Sequence, residues 1–565
     1  MAIAPPVERP DQAVSPRVRR VRRRGYDILS DRVLNKDTAF TEAERVALGL
    51  RGLLPARVTT IDEQVALELE HVRRKPDDLE RYIGLAALQD RNETLFFRLL
   101  AENLEEFLPV VYTPTVGRAC QEFSHILRRA RGVWITPADV DRIPELLRNA
   151  ADDVRLIVVT DNERILGLGD QGAGGMPIPV GKLALYTGGA GIHPAWTLPV
   201  SLDVGTDRDD LLADPLYLGY RGRRLRGEAY DAVVEAFAEA VREVFPRAVL
   251  QWEDFKQHNA LRILERYRHR LPSFNDDVQG TAAVVLAGLL AARRDDGGLE
   301  RDRFLFLGAG AAAVGTAGLL AQELASRGLS ADLIRRSIVM VDSHGLVHVG
   351  RTDLDADKRL FAVDAATIAG WDLDRGALDR PATVAAAAGA TVLIGTTGCA
   401  NAFDEPLVRA IAANHPRPIV LPLSNPSSRS EATPDQVLEW SRGQAIVATG
   451  SPFGPPPGRA FRAVGQANNV FVFPGVGLGA IVAETREITD ELFLVAARTL
   501  AANVTPARLA AGAIYPAVGD LRAISRSIAV AVVRTARDSG YGRNFRDAEI
   551  EPAVDDAIWW PEYVP

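Results

Sequence analysis

FLFLGAGAAAVGTAGLLAQELA, residues 304–325, is the stretch of this 565-residue chain that decides the fold. An apolar run typical of a strand leads into a glycine turn, and an alanine-rich helical stretch follows. Gly308, Gly310 and Ala313 form the pattern GxGxxA, in which the glycines permit a tight turn and close approach of a pyrophosphate, and the alanine permits close packing. The stretch predicts the strand, turn and helix of a dinucleotide-binding sheet; the alternative is a helix that merely packs closely on a sheet.

Further short apolar runs follow this stretch, and each ends near a glycine, serine, asparagine or aspartate. They are SIVMVD (337–342), TVLIGTT (391–397), PIVLPLSNP (418–426) and AIVATGSP (445–452). Short buried strands in such a series are typical of a doubly wound parallel sheet. We therefore predict an α/β protein with a Rossmann-type dinucleotide-binding domain over residues 280–466.

Asp342, at the end of SIVMVD, is the candidate residue for binding the ribose hydroxyls of the dinucleotide. It lies 34 residues after Gly308, so a longer helix or loop than usual must intervene. A carboxylate at this position favours NAD because it repels the 2′-phosphate of NADP. Ser343 and Lys358 are able to donate hydrogen bonds to such a phosphate, so NADP stays open as the alternative cofactor.

A second α/β section precedes this domain. Its predicted strands are VYTP (111–114), LIVVT (156–160), TLPVSLDV (197–204) and AVLQWEDF (248–255). A long helix is predicted at EAYDAVVEAFAEAVREVF (228–245). Strands that alternate with helices favour a parallel sheet. We predict an α/β catalytic domain over residues 131–279, completed by residues 467–538.

The remaining segments are predicted to be helical or irregular. Residues 26–130 are rich in helical periodicity, and Thr41 with Glu44 forms a capping box that begins a helix. Residues 1–25 are predicted to be a disordered basic tail, and residues 539–565 an irregular surface tail.

The composition is that of an ordinary soluble protein, with 47% apolar residues, 25% charged residues and a net charge of −8. This charge gives no electrostatic case for nucleic acid as a partner. Six arginines in residues 16–24 form a basic stretch that we expect to be a solvated extension rather than a transit peptide or a nucleic-acid arm. The best apolar run, residues 281–292, stops at Arg293 and Arg294 and is too short to cross a membrane. Only Cys120 and Cys399 are present, so no disulfide framework is indicated and we expect a cytoplasmic protein.

Two acidic pairs lie within 25 residues, in QWEDF (251–255) and SFNDDVQGT (273–281). The aromatic and apolar neighbours of both pairs indicate partial burial, which costs several kcal/mol for each uncompensated charge. Oxygen ligands alone suit Mg²⁺ or Mn²⁺ better than zinc. The sequence therefore predicts a metal site made by Glu253, Asp254 and Asp277, with a solvated acidic surface as the alternative.

Two further side chains are candidates for proton transfer. Lys182, in GGMPIPVGKLALY, is the single charge of an apolar segment, and a nearby divalent cation would lower its pKa enough for it to act as a base. Tyr112 is predicted to end an apolar strand before a proline turn and is a candidate proton donor. The alternatives are an exposed surface lysine and a tyrosine that packs in the core.

Nine ordered motifs, spread over residues 37–540, resemble those of the malic enzymes. They are VYTPTVG (111–117), TDNERILGLGD (160–170), GMPIPVGKLALY (175–186), QWEDF (251–255), FNDDVQGTAAV (274–284), FLGAG (306–310), LSNP (423–426), TGSPFGP (449–455) and GQANNVFVFPGVGLG (465–479). The resemblance implies oxidative decarboxylation of L-malate to pyruvate and CO₂, with reduction of NAD or NADP and a divalent metal ion.

The resemblance also implies a role for each proton-transfer residue. Lys182 matches the general base for the C2 hydroxyl, Asp276 the carboxylate that hydrogen-bonds this lysine, and Tyr112 the acid that protonates C3 of enolpyruvate. The matching metal ligands are Glu253, Asp254 and Asp277.

Other matched residues bind substrate or cofactor. Arg164 matches the residue that holds a malate carboxylate, and three amides match the lining of the substrate and nicotinamide pocket: Asn425, Asn468 and Asn469. The expected cofactor-binding residues are Gly308, Ala309, Gly310, Ala311, Ala313, Asp342 and Asn425.

The chain departs from some relatives at two places. Leu67 occupies one of two arginine positions of an allosteric fumarate site, while Arg91 matches the other, so we expect fumarate activation to be absent or weak. Ala311 replaces a glutamate of some members, which removes a polar contact near the cofactor.

Two other functions remain as alternatives at this point. Malolactic enzyme resembles the same motifs and converts malate to lactate without releasing NADH. A catalytically silent scaffold predicts erosion of the chemical residues, yet they are present. Family members form dimers or tetramers, so we expect a homodimer or homotetramer.

Overall fold

The computed structural model describes residues 21–165, 167–371, 373, 375–454 and 463–565, and it describes only the backbone of Gln257 and Arg375. The first 20 residues of the predicted basic tail lie outside the described residues, as do Leu166 and Pro455 of the quoted motifs. Within the described part, no helix is long and apolar enough to cross a membrane.

Helices alone form the N-terminal section. They are α1 (Tyr26–Leu29), α2 (Glu42–Ala47), α3 (Ile61–Arg73), α4 (Asp78–Arg91), α5 (Glu93–Glu102), α6 (Leu104–Val111), α7 (Thr115–Gln121) and α8 (Phe123–Ile126). The predicted capping box is confirmed, since the Thr41 side chain accepts from the Glu44 N–H and the Glu44 carboxylate accepts from the Thr41 N–H. Asn92 separates α4 from α5, because its side chain accepts from the Leu95 N–H at 3.0 Å and begins a new helix.

The prediction of a strand at VYTP is wrong. Val111 is the last residue of α6, and Tyr112 follows in the turn that contains the cis peptide bond between Thr113 and Pro114. Helix α6 is buried on most of its surface, so its apolar residues form a nearly continuous run. Such a run is also what a buried strand shows, and periodicity cannot distinguish the two over a short length.

The first sheet has five parallel strands in the order β1-β3-β2-β4-β5. Its elements are β1 (Val133–Ile135), α9 (Ile143–Ala150), β2 (Leu156–Thr160), α10 (Pro177–Ala190), β3 (Thr197–Leu202), α11 (Asp209–Ala213), α12 (Gly227–Val244), β4 (Val249–Trp252), α13 (Gln257–Tyr267) and β5 (Ser273–Asn275). The strands predicted at LIVVT, TLPVSLDV and AVLQWEDF are confirmed. Both faces of this sheet are covered, so these strands are mostly apolar.

The second sheet has the order β12-β11-β10-β9-β6-β7-β8, and only β8 is antiparallel to its neighbour. Its strands are β6 (Phe304–Leu307), β7 (Ile338–Asp342), β8 (Gly345–Leu346), β9 (Val392–Gly395), β10 (Ile419–Pro422), β11 (Ile446–Thr449) and β12 (Gly465–Gln466). Leu307 pairs with Val341 on one side and with Gly395 on the other, so the predicted glycine turn follows an interior strand, β6. The doubly wound dinucleotide-binding fold is thereby confirmed.

Helices surround the second sheet and connect it to the first. They are α14 (Thr281–Ala292), α15 (Ala311–Ser326), α16 (Ala331–Ser337), α17 (Ala356–Arg359), α18 (Ala365–Ala369), α19 (Pro381–Ala387), α20 (Glu405–Asn414) and α21 (Pro434–Trp440). A five-residue π-helical turn, Asp276–Gly280, joins β5 to α14. Gly315 of α15 packs so closely on this turn that a Cβ would lie 2.7 Å from Val278 Cγ1. The dinucleotide helix and the acidic turn are therefore in contact.

The C-terminal helices pack on the first sheet through α10. They are α22 (Phe473–Ala483), α23 (Asp490–Ala502), α24 (Pro506–Ala510), α25 (Leu521–Asp538) and α26 (Asp547–Ala557). Apolar side chains of α10, α14, α22 and α25 belong to one continuous core that also includes residues of both sheets. Lys182 lies in the middle of α10, so the core surrounds the predicted base.

The predicted irregular tail after residue 539 is largely ordered structure. Helix α26 packs on α25, and the following residues return to the N-terminal helices. Tyr563 accepts a hydrogen bond from Asn92 Nδ2 at 2.7 Å and donates one to Gln64 Oε1 at 2.7 Å. The guanidinium group of Arg522 lies over the Trp560 ring, 4.8 Å from its centroid. These partners are distant in sequence, so local composition does not show that the segment is held.

Candidate active site

A cleft of about 410 Å³ lies where the carboxyl ends of strands from both sheets face each other. From the first sheet, segments after β2, β4 and β5 contribute polar side chains. From the second sheet, the loops after β9, β10 and β11 form the opposite wall. Ligands of parallel α/β sheets bind at such strand ends. The predicted residues that line this cleft are Tyr112, Arg164, Lys182, Glu253, Asp254, Asp277, Asn425, Asn468 and Asn469.

Glu253, Asp254 and Asp277 come together as an acidic cluster. Each offers one carboxylate oxygen, and these oxygens all lie within 4.8 Å of one another. Asp254 adopts a φ of +56°, a strained conformation for a non-glycine residue, and its N–H donates to Asp277 Oδ2 at 2.8 Å. Burial raises the pKa of Glu253 and of Asp277, and the neighbouring carboxylates raise it further, while Lys182 opposes the effect. Crowded oxygen donors of this kind, two of them on buried residues and one on a partly buried residue, fit a hard divalent cation.

Lys182 is buried, and its ammonium group contacts two carboxylates. It forms a salt bridge with Asp276 and lies 3.0 Å from Glu253 Oε1. The ring of Phe473 is 4.3 Å from the ammonium nitrogen, measured to its centroid. Burial lowers the pKa of Lys182, but the charges of Asp276 and Glu253 outweigh burial and raise the pKa above its ordinary value. The lowered pKa expected from the sequence therefore depends on the charge of a bound cation, which opposes the effect of the carboxylates.

Asp276 is fully buried, and the side-chain amide of Asn469 positions it. Asn469 Nδ2 donates to Asp276 Oδ2 at 3.1 Å and to the Asp276 carbonyl at 3.2 Å. The same amide nitrogen is 3.1 Å from Thr281 Oγ1. The carboxylate that contacts Lys182 is thus fixed from a C-terminal segment almost 200 residues away in sequence.

Tyr112 lies beside the same carboxylates. Its hydroxyl donates to Glu253 Oε1 at 3.2 Å, and the Lys182 ammonium lies 5.2 Å from its ring centroid. Burial raises the pKa of Tyr112 well above its ordinary value, and Glu253 adds to the effect. A tyrosine that stays protonated in this position is suited to donate a proton.

Two residues of this network were missed in the sequence. Gln251 Nε2 donates to Glu253 Oε2 at 2.7 Å, and the Tyr186 hydroxyl donates to Gln251 Oε1. Both are buried neutral side chains within motifs that carry other candidates. Their types and spacing give no chemical signal, so sequence reasoning could have found them only as members of those motifs.

The predicted malate-binding residues lie on both walls of the cleft. The Arg164 N–H donates to the Asp254 carbonyl at 3.1 Å, and the charge of Arg164 lowers the pKa of Asp277 after the larger effects of burial and the other charges. On the opposite wall, Asn425 Oδ1 accepts from Ser451 Oγ at 2.5 Å. Asn468 Oδ1 accepts from the Val470 N–H at 3.0 Å, which leaves its amide nitrogen as the group available to a ligand.

The dinucleotide turn has the geometry that its glycines predict. Gly308 adopts a φ of +103°, and a Cβ there would lie 2.8 Å from the Thr396 carbonyl oxygen. Helix α15 begins at Ala311 directly after Gly310, so its free N–H groups point toward the turn. Ala309, Ala311 and Ala313 are buried. The turn contacts the loop after β9, which lines the cleft.

Asp342 ends β7, the strand beside β6, but its carboxylate already has cationic partners. Arg351 Nη1 donates to Oδ1 at 2.8 Å, and Lys358 Nζ donates to Oδ2 at 2.9 Å. Although burial raises its pKa, these partners lower the pKa of Asp342 to about 2. The position therefore combines one carboxylate with two cations, so the electrostatic preference for NAD over NADP is weaker than a lone aspartate would give.

Arg91, one of the two fumarate-site positions, is engaged by carboxylates. It pairs with Asp37 at 2.9 Å and with Glu68 at 2.6 Å. Leu67, at the other position, is half exposed and supplies no charge. A dicarboxylate would have to displace both acidic partners of Arg91.

A dinucleotide turn whose helix reaches, through Ala312, a cleft lined by a buried lysine and acidic residues is typical of a nicotinamide-dependent oxidoreductase. Residues 89–268 match the family model described as malic enzyme, N-terminal domain, and residues 278–537 match that described as malic enzyme, NAD binding domain. The chain belongs to the malic enzyme family.

Curated relatives and solved structures agree with this assignment. The chain is 45% identical over 543 residues to the NAD-dependent malic enzyme of Pseudomonas aeruginosa and 44% identical over 542 residues to that of Shewanella denitrificans, covering 95% of this chain and 96% of the relative in each case. It shares the fold of Entamoeba histolytica malic enzyme, with a TM-score of 0.56, 23% identity and 91% of each chain covered. The Pyrococcus horikoshii malic enzyme gives a TM-score of 0.52 at 24% identity, with 80% of this chain and 89% of that chain covered.

Proposed function

We propose that this protein catalyses the oxidative decarboxylation of L-malate to pyruvate and CO₂ with reduction of NAD. The observation that carries the proposal is the salt bridge between Lys182 and Asp276 beside three clustered carboxylates, in a cleft that Ala312 of the dinucleotide helix also lines. Membership of the malic enzyme family and the names of the relatives support the same reaction.

Lys182 and Tyr112 are the proposed proton-transfer groups. The neutral lysine accepts the proton of the malate C2 hydroxyl while the C2 hydrogen leaves as a hydride, and Asp276 holds the lysine in place. Loss of CO₂ leaves the enolate of pyruvate, and Tyr112 donates the proton that C3 requires to give pyruvate. The distance of 3.2 Å between the Tyr112 hydroxyl and Glu253 supports this role, since the tyrosine is held at the edge of the acidic cluster.

Glu253, Asp254 and Asp277 are the proposed ligands of Mn²⁺ or Mg²⁺. Their oxygens lie close enough together to share one ion, and all three residues offer a carboxylate oxygen, which is a hard donor. When bound, the divalent ion supplies a Lewis acid for the malate C2 oxygen and its charge favours the neutral form of Lys182. Arg164, on the same side of the cleft, provides a guanidinium fork for a malate carboxylate.

The second wall of the cleft is the proposed dinucleotide site. Gly308–Ala311 and the start of α15 receive the pyrophosphate, and Asn425 and Asn468 present amides to the nicotinamide and the substrate. Asp342 is the proposed ribose ligand and favours NAD, although Lys358 reduces that preference. We further propose a cytoplasmic homodimer or homotetramer that acts without nucleic acid or membrane.

Incubation of the purified protein with malate, NAD⁺ and Mn²⁺ tests the activity. The expected result is NADH absorbance that rises in step with pyruvate. Lactate without NADH would instead identify a malolactic enzyme. A Lys182→Ala variant is expected to lose turnover while it still binds NADH, and a variant with full turnover would contradict the assigned base.

A further inference from the structure

Glu431 is a fully buried carboxylate that does not belong to the acidic cluster. It lies behind the loops of the second sheet that form one wall of the cleft. It lies between the loop after β10 and helix α21. It is not among the side chains that line the cleft. A carboxylate is expensive to bury, so its partners indicate what the burial achieves.

The donors to Glu431 come from two different cofactor-site loops. Oε1 accepts from the Thr397 N–H at 2.8 Å, from Thr397 Oγ1 at 2.9 Å and from the Ser424 hydroxyl. Oε2 accepts from the Ser424 N–H at 3.1 Å. Thr397 follows β9 and Ser424 follows β10, so one carboxylate ties together the ends of two adjacent strands.

A fifth hydrogen bond connects the same loops. The Gly398 N–H donates to Ser424 Oγ at 2.8 Å, while that hydroxyl donates to Glu431. Thr396 precedes Thr397, and its carbonyl oxygen packs closely against Gly308. The contacts of Glu431 therefore extend from the dinucleotide turn to the loop after β10.

The residues beside these donors form the cofactor wall itself. Thr396, Gly398, Ser424 and Asn425 all line the cleft. Asn425 is bonded in turn to Ser451, in the loop after β11. Because the donors to Glu431 are backbone amides and hydroxyls on these loops, a change in the carboxylate alters the loop positions and leaves the acidic cluster of the first sheet unchanged.

We propose that Glu431 is a positioning residue for the dinucleotide: it fixes the loops after β9 and β10 at the spacing that the cofactor requires. This inference rests on the proposed function, because the ligand of the wall is taken to be NAD. The proposal assigns Glu431 no contact with substrate or cofactor and no part in proton transfer.

Glu431→Gln is the principal test. Glutamine keeps the size of the side chain, but its NH₂ group cannot accept from the Ser424 N–H or from the Oε1 donors, whichever way the amide is turned. We expect the Kd for NADH, measured by fluorescence titration of the full-length protein, to rise about tenfold. The affinity for Mn²⁺ is expected to change less than about twofold, because its proposed ligands lie on the other wall.

Glu323→Gln provides a matched control. Glu323 is a buried glutamate of the same domain that binds Arg327 and Arg498, and it lines no part of the cleft. This variant is expected to lower the melting temperature while its Kd for NADH stays within about twofold of wild type. Equal losses of NADH affinity in both variants would show a general effect of domain stability and would overturn the proposal, as would an unchanged Kd in Glu431→Gln.

If Glu431→Gln does not fold, variants of Thr397 test the positioning role instead. Thr397→Val removes the hydroxyl that donates to Glu431 and keeps the backbone donor, whereas Thr397→Ser keeps both. We expect valine to weaken NADH binding about threefold and serine to leave it at the wild-type value. Equal binding by the two variants would refute the positioning role. Failure of the wild-type protein to bind NADH would instead refute the proposed function.

Discussion

Asp276→Asn should reduce turnover far more than metal affinity. Asp276 is fully buried, contacts the Lys182 ammonium and is not one of the three clustered ligands. Removal of one partner of a buried ion pair costs about 3–5 kcal/mol. Glu253, 3.0 Å from the same ammonium, retains part of the compensation, so we expect a stability loss near the lower value of about 3 kcal/mol.

The effect on catalysis follows from the loss of orientation. Asparagine keeps the shape of Asp276 and can still accept from Asn469, but it no longer attracts the lysine by charge. A misplaced general base typically costs a factor of about 10²–10⁴ in rate, and the retained shape favours about 10² for kcat. Urea unfolding measures the loss of stability, and steady-state kinetics at saturating malate, NAD and Mn²⁺ measure the fall in kcat.

Asp277→Asn is the matched comparison, because it makes the same chemical substitution at the adjacent residue. Its oxygen belongs to the acidic cluster, so we expect the Kd for Mn²⁺ to rise at least about tenfold, while Asp276→Asn changes it by less than about threefold. Isothermal titration of Mn²⁺ into each variant gives both constants. Equal metal affinities in the two variants, or full turnover in Asp276→Asn, would refute the division of roles between the adjacent aspartates.

Three other predictions concern regions outside the acidic cluster. The pKa of Asp342 is lowered to about 2 from an ordinary 3.8, so its contribution to protein stability is fully present above about pH 4 and is lost as the pH falls toward 2. The melting temperature of Asp342→Asn should therefore depend less on pH over that window than the melting temperature of the wild type. Tyr563→Phe leaves the buried amide of Asn92 without its partner and should destabilise the protein by about 1–3 kcal/mol in urea unfolding, whereas Tyr541→Phe on the exposed surface should have almost no effect. Fumarate should leave the half-saturation for malate unchanged, because Arg91 is held by Asp37 and Glu68; a clear decrease in kinetic assays would contradict this account of the site.

The longer strands of both sheets could be predicted because each is apolar, buried and bounded by turn residues, whereas the strands of two or three residues, β1, β5, β8 and β12, were missed. LIVVT became β2 over the same five residues, 156–160. VYTP failed for the same physical reason, since α6 is also enclosed and its apolar residues are nearly continuous. The C-terminal tail failed for a different reason: Trp560 and Tyr563 are fixed by Arg522, Gln64 and Asn92, which no local pattern connects to them.

The candidate site shows the same limit at the level of side chains. Charged residues could be predicted because a buried charge needs compensation, which led to the acidic pairs and to Lys182. Gln251 and Tyr186 could not, because a neutral hydrogen-bonding residue is compatible with many positions in a core. Glu431 is charged, yet its donors are backbone amides and hydroxyls, so no oppositely charged residue in the sequence indicates it.

Glu253 connects the two halves of the proposed chemistry. Its Oε1 serves both Lys182 and Tyr112, at 3.0 and 3.2 Å, and its Oε2 accepts from Gln251 at 2.7 Å. A cation that binds to Glu253 must compete with these donors, and the neutral, longer hydrogen bond from Tyr112 is the weakest of them. The residue that is most easily released is therefore the proposed acid, while Lys182 keeps its contact with Asp276. On the proposed roles, binding of a metal at the acidic cluster would therefore free Tyr112 before Lys182.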